Sequence, residues 1–174
     1  GSAALGHKPG DRVMGSGAGA FAEYIAVDHG RVQKIPGEAM SFAQAACLPV
    51  ALQTMHDAVV THGELIAGQS ILILGASSGV GLMGLQIARL KGASLVIGSS
   101  TNAERRAQLA KFGAHLAVDT NDPGWVQQIR DVTDGNGVDV VVDQVTGKLA
   151  SHTLHATKIL GRIVNVGRLG GNQA

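Results

Sequence analysis

Seven residues of little bulk, Gly75-Ala76-Ser77-Ser78-Gly79-Val80-Gly81, follow the apolar run Ser70-Ile71-Leu72-Ile73-Leu74 and open a helix-forming stretch. Without large side chains, the backbone N–H groups of such a turn can approach a charged group closely. The helix that starts there adds its partial positive charge. The chemistry this suits is the holding of a diphosphate, as in a dinucleotide. Gly81 is expected to let the helix pack tightly on the strand. A literal G-x-G-x-x-G also exists at Gly79, Gly81 and Gly84. That register is a decoy, because the strand ends at Leu74 and the phosphate turn must begin at Gly75. Gly84 then falls inside the helix and serves packing. A tight turn in an α/β protein of another class is the competing reading, and the strand–turn–helix context weighs against it.

Which dinucleotide is read from the second strand. A binder of the unphosphorylated cofactor carries an acidic residue about 20 residues on, which accepts the ribose 2′-OH. Here the strand ends Gly98-Ser99-Ser100-Thr101-Asn102, with no carboxylate, and Arg105 and Arg106 follow. Small hydroxyls at Ser99 and Ser100 with a guanidinium suit a 2′-phosphate dianion. The expected cofactor is NADPH, with Arg105 the favoured contact. An ordinary solvated helix face is the alternative for these arginines.

Other reactive residue types are weaker candidates. His152 and His155 are spaced to share a helix face, but no carboxylate or cysteine accompanies them at ligand spacing, so no metal site is expected. Cys47, the only cysteine, sits in an alanine-rich stretch and is expected to be a buried thiol rather than a nucleophile. Asp143-Gln144 either touch a ribose or simply end a strand.

These residues need a framework. Lys8–Met14 reads as a turn feeding a strand, Phe21–Val27 as a second strand and Val32–Ile35 as a third, so 8–36 looks all-β. Ser41 can cap a helix starting at Phe42, Pro49 breaks or kinks the run, and a second helical stretch covers about 50–62. From residue 69 strands and helices alternate. The strands are Ser70–Leu74, Ser94–Gly98, Leu116–Val118, Val138–Val142 and Arg162–Val166. The helices are Val80–Lys91, Ala103–Phe112, Trp125–Thr133 and Lys148–Leu160. The fold class is α/β, a doubly wound parallel sheet of about five strands. The boundaries are 1–36 for the β unit, 37–66 for a helical connector and 67–174 for the dinucleotide domain. Gly1-Ser2 reads as a cloning remnant.

Composition bounds the function classes. The chain has 174 residues, with 14 Lys+Arg against 13 Asp+Glu and a formal charge of +1. That balance is unlike the basic stripe of a nucleic-acid binder. With 45% hydrophobic and 16% charged residues it is not a disordered acidic chain. One cysteine excludes an intrachain disulfide framework. No apolar run reaches the roughly 18 residues of a membrane span, and no signal peptide opens the chain. A cytoplasmic location is expected. Aromatics are only 3%, so the core must be built from Val, Ile, Leu and Ala, as in parallel strands buried on both faces.

In order and spacing, Lys8–Val13, Phe21–Tyr24, Ala45–Pro49, Leu52–Ala58 and Gly75–Gly81 together resemble the medium-chain dehydrogenase/reductase superfamily. The branch resembled is that of the zinc-free, zeta-crystallin-like quinone oxidoreductases. The resemblance covers the chain from Lys8 onward. It implies a GroES-like catalytic domain, of which 1–36 is a remnant, followed by a Rossmann domain. NADPH would lie between them and pass a hydride to a quinone or an α,β-unsaturated carbonyl. It carries the dinucleotide turn to Gly75–Gly81, the 2′-phosphate contact to Arg105 and a threonine near the nicotinamide to Thr54. It carries the loops after the fourth and fifth strands to Gln144-Val145 and to Val166-Gly167-Arg168. The tyrosine often found near the adenosine is Thr120 here. The resemblance also implies that most of the catalytic domain and the sixth Rossmann strand lie outside this sequence, so weak or no turnover is expected of the chain alone. A structural zinc lobe would supply several cysteines soon after Val13, where the chain instead runs straight through Gly15–Ala20, and no cysteine stands at the position of Ala51, which suits the zinc-free branch. Arg162–Val166 is then expected to be an exposed apolar sheet edge that pairs with a second copy as a dimer.

The turn also resembles that of the short-chain reductases. Those need a Tyr-x-x-x-Lys pair after it, and the only tyrosine, Tyr24, precedes it with Asp28 four residues on. Two further readings stand beside a quinone or enone reductase. One is a non-catalytic, NADPH-binding structural module. The other is an excised enoyl-reductase domain of a polyketide- or fatty-acid-type synthase.

Overall fold

The computed structural model describes residues 6–171. Gly1-Ser2 lies outside the described residues. The chain falls into two units, Gly1–Ala51 and Leu52–Ala174, so the connector expected at 37–66 is shared between them.

In the first unit, β1 (Val13–Gly15) pairs antiparallel with β2 (Val32–Lys34), Val13 opposite Lys34 and Gly15 opposite Val32. Arg12 ties this ribbon to the segment leading into the first helix. Its guanidinium donates to the carbonyls of Gly37, Glu38 and Met40, and lies 4.7 Å over the ring of Phe42. Helix α1 (Phe42–Ala46) begins at a capping box, with Ser41 Oγ accepting the Gln44 N–H and Gln44 Oε1 accepting the Ser41 N–H. It stops at Cys47, just before Pro49, and α2 (Leu48–His56) restarts there with Pro49 in its first turn.

Two expectations fail in this unit. Phe21–Val27 forms no strand. Among the described residues no neighbouring strand takes up its backbone groups, and Phe21 and Tyr24 stand in the open. Alternation of residue types is insufficient without a partner for the ladder. Cys47 is exposed rather than buried, because it caps the end of a helix only five residues long.

The second unit is a five-stranded parallel sheet. In chain order its strands are β3 (Ser70–Leu74), β4 (Leu95–Ser99), β5 (Leu116–Val118), β6 (Val138–Asp143) and β7 (Thr157–Asn165). In space the order is β5-β4-β3-β6-β7. That is the Rossmann arrangement over its first five strands, with β3 at the centre and the chain leaving it first to one side and then to the other. Helices α3 (Gly79–Leu90), α4 (Ala103–Gln108), α5 (Trp125–Asp131) and α6 (Ala150–Ala156) form the crossovers. The central strands are apolar on both faces. Ile71, Ile73, Val140 and Val142 join α3's Leu85 and Ala88 in one core, while Leu72, Leu74, Val141, Trp125 and Ile129 build the other. Among the described residues no helix is long and apolar enough to cross a membrane.

The last crossover corrects a boundary. The helix expected over Lys148–Leu160 ends at Ala156, and Thr157 already pairs with Val138. The ladder then slips, since Val140 faces Arg162, so the intervening residues bulge out of β7. Leu160 sits in that bulge with φ +65° and is 97% exposed. β7 is the edge of the sheet.

Candidate functional site

The carboxyl ends of β3 and β6 lie side by side, with Leu74 opposite Asp143. This is the switch point of the sheet, where open α/β folds place their ligands. The turn after Leu74 starts with Gly75 at φ +71°, a left-handed conformation that favours glycine.

Hydrogen bonds divide the turn into two sets of amides. Ser99, at the end of β4, takes the first two: its Oγ accepts the Gly75 N–H at 3.1 Å and its carbonyl accepts the Ala76 N–H at 2.9 Å. The Ser78 N–H donates to Gly75 O at 3.1 Å, and Ser78 Oγ caps α3 by accepting the Gly81 N–H at 3.0 Å. Among the described residues, the N–H groups of Ser77, Gly79 and Val80 have no acceptor. They stand at the positive end of a helix of 12 residues. A Cβ added to Gly79 would meet nothing within 4 Å, so space lies open beside them. Gly81 is the opposite case. A Cβ there would lie 2.6 Å from Ala76 Cα and 2.7 Å from Gly75 O, which is how closely the helix packs on the turn. Gly84 lies within α3 and faces Ile73 and Met55 at 2.9 Å from its virtual Cβ, a packing position.

Beyond β4, Ser100 is buried and its hydroxyl donates to Ser77 Oγ at 2.9 Å. Asn102 caps α4 through the Arg105 N–H. The two arginines differ. Arg106 is tied down, donating to Ser100 O at 2.8 Å and to the Asp119 carboxylate at 2.9 Å. Arg105 is exposed, and among the described residues its guanidinium makes no hydrogen bond or ion pair. Asp119 carries no signal in the sequence that marks it as a partner of these arginines. It follows β5 and reaches Arg106 only through the pairing of β4 with β5, which no local spacing reveals.

The β6 end separates Asp143 from Gln144. Asp143 Oδ1 accepts the Val145 and Thr146 N–H groups, both at 2.8 Å, so this residue ends the strand by an Asx turn. Gln144 is 5% exposed and turned toward the glycine turn. Its Nε2 donates to Leu74 O at 3.0 Å, with Gly75 O at 3.4 Å, and its Oε1 accepts the Ser78 hydroxyl at 3.3 Å. The segment after β7 folds over this loop. The Val166 N–H donates to Asp143 O, Gly167 O accepts the Thr146 hydroxyl, and a Cβ on Gly167 would lie 2.9 Å from Gln144 O. Val166 and Gly167 therefore join Gln144 and Val145 at the switch point, while Arg168 is exposed. Thr54 is half-buried on α2. Its neighbour Met55 packs on Gly84, but among the described residues no hydrogen bond joins Thr54 to the turn.

The turn itself holds no ionisable side chain. Among the described residues of this unit, the two shifted groups lie elsewhere. Burial, and secondarily the nearby Arg89 guanidinium, hold the His115 imidazole below its ordinary range. For Asp139 burial acts to raise the pKa, but the Ser70 N–H and hydroxyl together with Lys158 outweigh it, and the carboxyl sits below its usual value. His152 lies 6.3 Å from the Trp125 ring, centroid to centroid, and His155 offers its carbonyl to Arg130. Among the described residues no group of three or more His, Cys, Asp or Glu is placed to hold a metal ion.

Comparison with known proteins fits this geometry. A family model described as zinc-binding dehydrogenase matches residues 79–174. Erythronolide synthase EryA2 of Saccharopolyspora erythraea is 36% identical over 162 residues, 92% of this chain and 4% of that protein. The quinone oxidoreductase of Homo sapiens is 32% identical over 173 residues, 98% of this chain and 52% of that protein. The chain thus spans about half the length of one of these relatives and a small part of the other. Among solved structures, an NAD-dependent alcohol dehydrogenase superposes with a TM-score of 0.83 at 30% identity, covering 89% of this chain and 44% of that one. The Rossmann sheet, the glycine turn at its switch point and these matches agree, and the chain belongs to the zinc-binding dehydrogenase family, in the quinone oxidoreductase-like branch of the medium-chain dehydrogenase/reductase superfamily.

Proposed function

We propose that the chain is the cofactor-binding part of a zinc-free, NADPH-dependent oxidoreductase that reduces a quinone or an α,β-unsaturated carbonyl. The observation that carries this reading is the set of amides at Ser77, Gly79 and Val80 that have no acceptor among the described residues, beside open space at a helix start. Those three N–H groups donate to the diphosphate. At the adenosine end, no carboxylate follows β4 and the free guanidinium of Arg105 pairs with the 2′-phosphate. Val166, Gly167 and Arg168, with the backbone of the Gln144-Val145 loop, line the nicotinamide side, and Thr54 lies near its ring. When bound, the reduced nicotinamide supplies the hydride. The protein's part is to orient it and keep water out. The substrate would be a small uncharged molecule in the cytoplasm, with neither nucleic acid nor membrane as partner.

A second reading, an enoyl-reductase domain of a modular synthase, is favoured by the match to 4% of an erythronolide synthase, a domain-sized piece. Both readings share the cofactor site and differ in the acceptor. Calorimetric titration of the chain with NADPH and NADH tests the shared part. NADPH is expected to bind at least tenfold more tightly, and equal affinity would overturn the cofactor assignment. Turnover of a simple quinone against that of an enoyl thioester, measured on the full-length parent protein, separates the two acceptors, and binding with neither turnover in that intact protein favours a non-catalytic module.

A further inference from the structure

We infer that Gln144 is a positioning residue for the diphosphate turn rather than a ligand of the cofactor. The amide of this side chain is spent inward. Its Nε2 donates to Leu74 O at 3.0 Å, with Gly75 O at 3.4 Å, and its Oε1 accepts the Ser78 hydroxyl at 3.3 Å. At 5% exposure it offers little to an incoming ligand.

The three acceptors and donors it touches are the ones that shape the turn. Leu74 O is the last carbonyl of β3, where the turn departs. Gly75 O also accepts the Ser78 N–H, closing the turn. Ser78 Oγ caps α3 through Gly81. One side chain just past the end of β6 therefore braces both the beginning of the turn and the start of the helix. On the far side Ser99, at the end of β4, holds the beginning of the turn by accepting the Gly75 and Ala76 N–H groups. Between these two clamps the amides of Ser77, Gly79 and Val80 are left free and held in a fixed fan. A buried amide with all its bonds made is stiff, and an unsatisfied one is costly, so the brace resists deformation. The role in binding rests on the cofactor reading above; the role in shaping the turn does not.

Two variants and two measurements test this. Gln144→Met keeps the length and removes both amide functions. Gln144→Glu keeps an acceptor for the Ser78 hydroxyl and turns the donor facing Leu74 O into a second acceptor. Amide hydrogen exchange of the unliganded chain is read at Ser78 and Gly81, with Leu72 and Ile97 in the sheet as references. Both variants are expected to speed exchange at Ser78 and Gly81 at least tenfold, with the references within twofold. Titrations with NADPH and with adenosine 2′-monophosphate, which lacks the diphosphate, are then compared. NADPH is expected to weaken about tenfold and the monophosphate less than twofold. Unchanged exchange at the turn, or equal weakening of both ligands, would overturn the inference. Accelerated exchange in the variants of a wild-type chain that binds neither nucleotide would fell the cofactor reading, and with it the role in binding, while leaving the brace itself supported.

Discussion

Arg106 is fastened to Asp119, its Nη1 lying 2.9 Å from the carboxylate, and the same nitrogen donates to Ser100 O at 2.8 Å. The fastening joins α4 to the ends of β4 and β5, while the preceding arginine, Arg105, has no partner among the described residues. Two neighbouring arginines thus have separable roles. Arg105→Ala is expected to lower the ratio of NADPH to NADH affinity by roughly 10- to 150-fold, the equivalent of a lost charge-assisted contact of roughly 1.5–3 kcal/mol. The melting temperature should stay within about a degree, since an exposed, unpaired side chain is removed. Arg106→Ala should do the reverse, destabilising the fold by about 1–2 kcal/mol. Calorimetry with both nucleotides and thermal melting of both variants check the assignment, and an unchanged affinity ratio in Arg105→Ala sinks it.

The glycines of the turn make a second pair of opposites. A methyl group on Gly81 would run into the backbone of Ala76 and Gly75, at 2.6 and 2.7 Å. Backbone cannot swing away as a side chain can, so Gly81→Ala is expected to cost about 1–3 kcal/mol by overpacking. At Gly79 the space is open. Gly79→Ala should leave the unliganded protein unharmed, or slightly more stable because alanine suits a helix, while the new methyl keeps a diphosphate at a distance. Melting curves with and without NADPH distinguish the two: only Gly81→Ala should melt early without ligand, and only Gly79→Ala should lose most of the ligand-induced shift while keeping its own stability.

The sheet was legible because β3, β4 and β6 are short apolar runs ended by glycine or turn residues, and being buried on both faces is written into their composition. The turn at Gly75 was legible for the same reason. What escaped were features set by residues distant in sequence. Gln144 and Ser78 lie 66 residues apart, and only the adjacency of β3 and β6 makes them partners. The strand expected at Phe21–Val27 failed on the same ground in reverse, for its pattern is present but a ladder partner among the described residues is not. The helix expected to run to Leu160 ends at Ala156, because pairing with β6 claims Thr157, and that partner lies outside the local sequence.

His115 makes stability depend on pH. Its Nδ1 accepts the Val96 N–H at 2.8 Å, and its Nε2 faces the Arg89 guanidinium. Protonation would turn the acceptor at Nδ1 into a donor facing a donor, and would set a second positive charge beside Arg89. Burial and that arginine hold the folded-state pKa below the ordinary 6.5. The unfolded chain therefore binds the proton more readily, and stability is lost as pH falls through 6.5 toward the lower folded-state value. Above 6.5 this contribution is fully present. Denaturant unfolding of the wild type and of His115→Gln at pH 7.5 and pH 5.5 measures it. The wild type is expected to lose more stability between those pH values than the variant, and equal losses would assign the pH dependence to other groups.

β7 is where the chain should meet another copy of itself. It is the edge of the parallel sheet, and Ile159, Leu160 and Ile163 are exposed along it. An edge of this kind carries unpaired backbone groups that can be completed by another strand. The bulge at Leu160 works against that pairing, because it breaks the regular ladder with a side chain held at φ +65°. A left-handed leucine costs roughly 1–2 kcal/mol, and almost none of its surface is buried in return. Leu160→Gly is thus expected to stabilise the monomer by about 1 kcal/mol, since glycine adopts that φ freely. It also removes an obstacle from the edge, so self-association should rise. Ile163→Lys places a charge on the same edge and should suppress association without unfolding the chain. Sedimentation velocity across a concentration series checks both variants against the wild type. A wild-type chain that stays monomeric at the highest concentration, with Leu160→Gly no different, would remove β7 as the meeting edge.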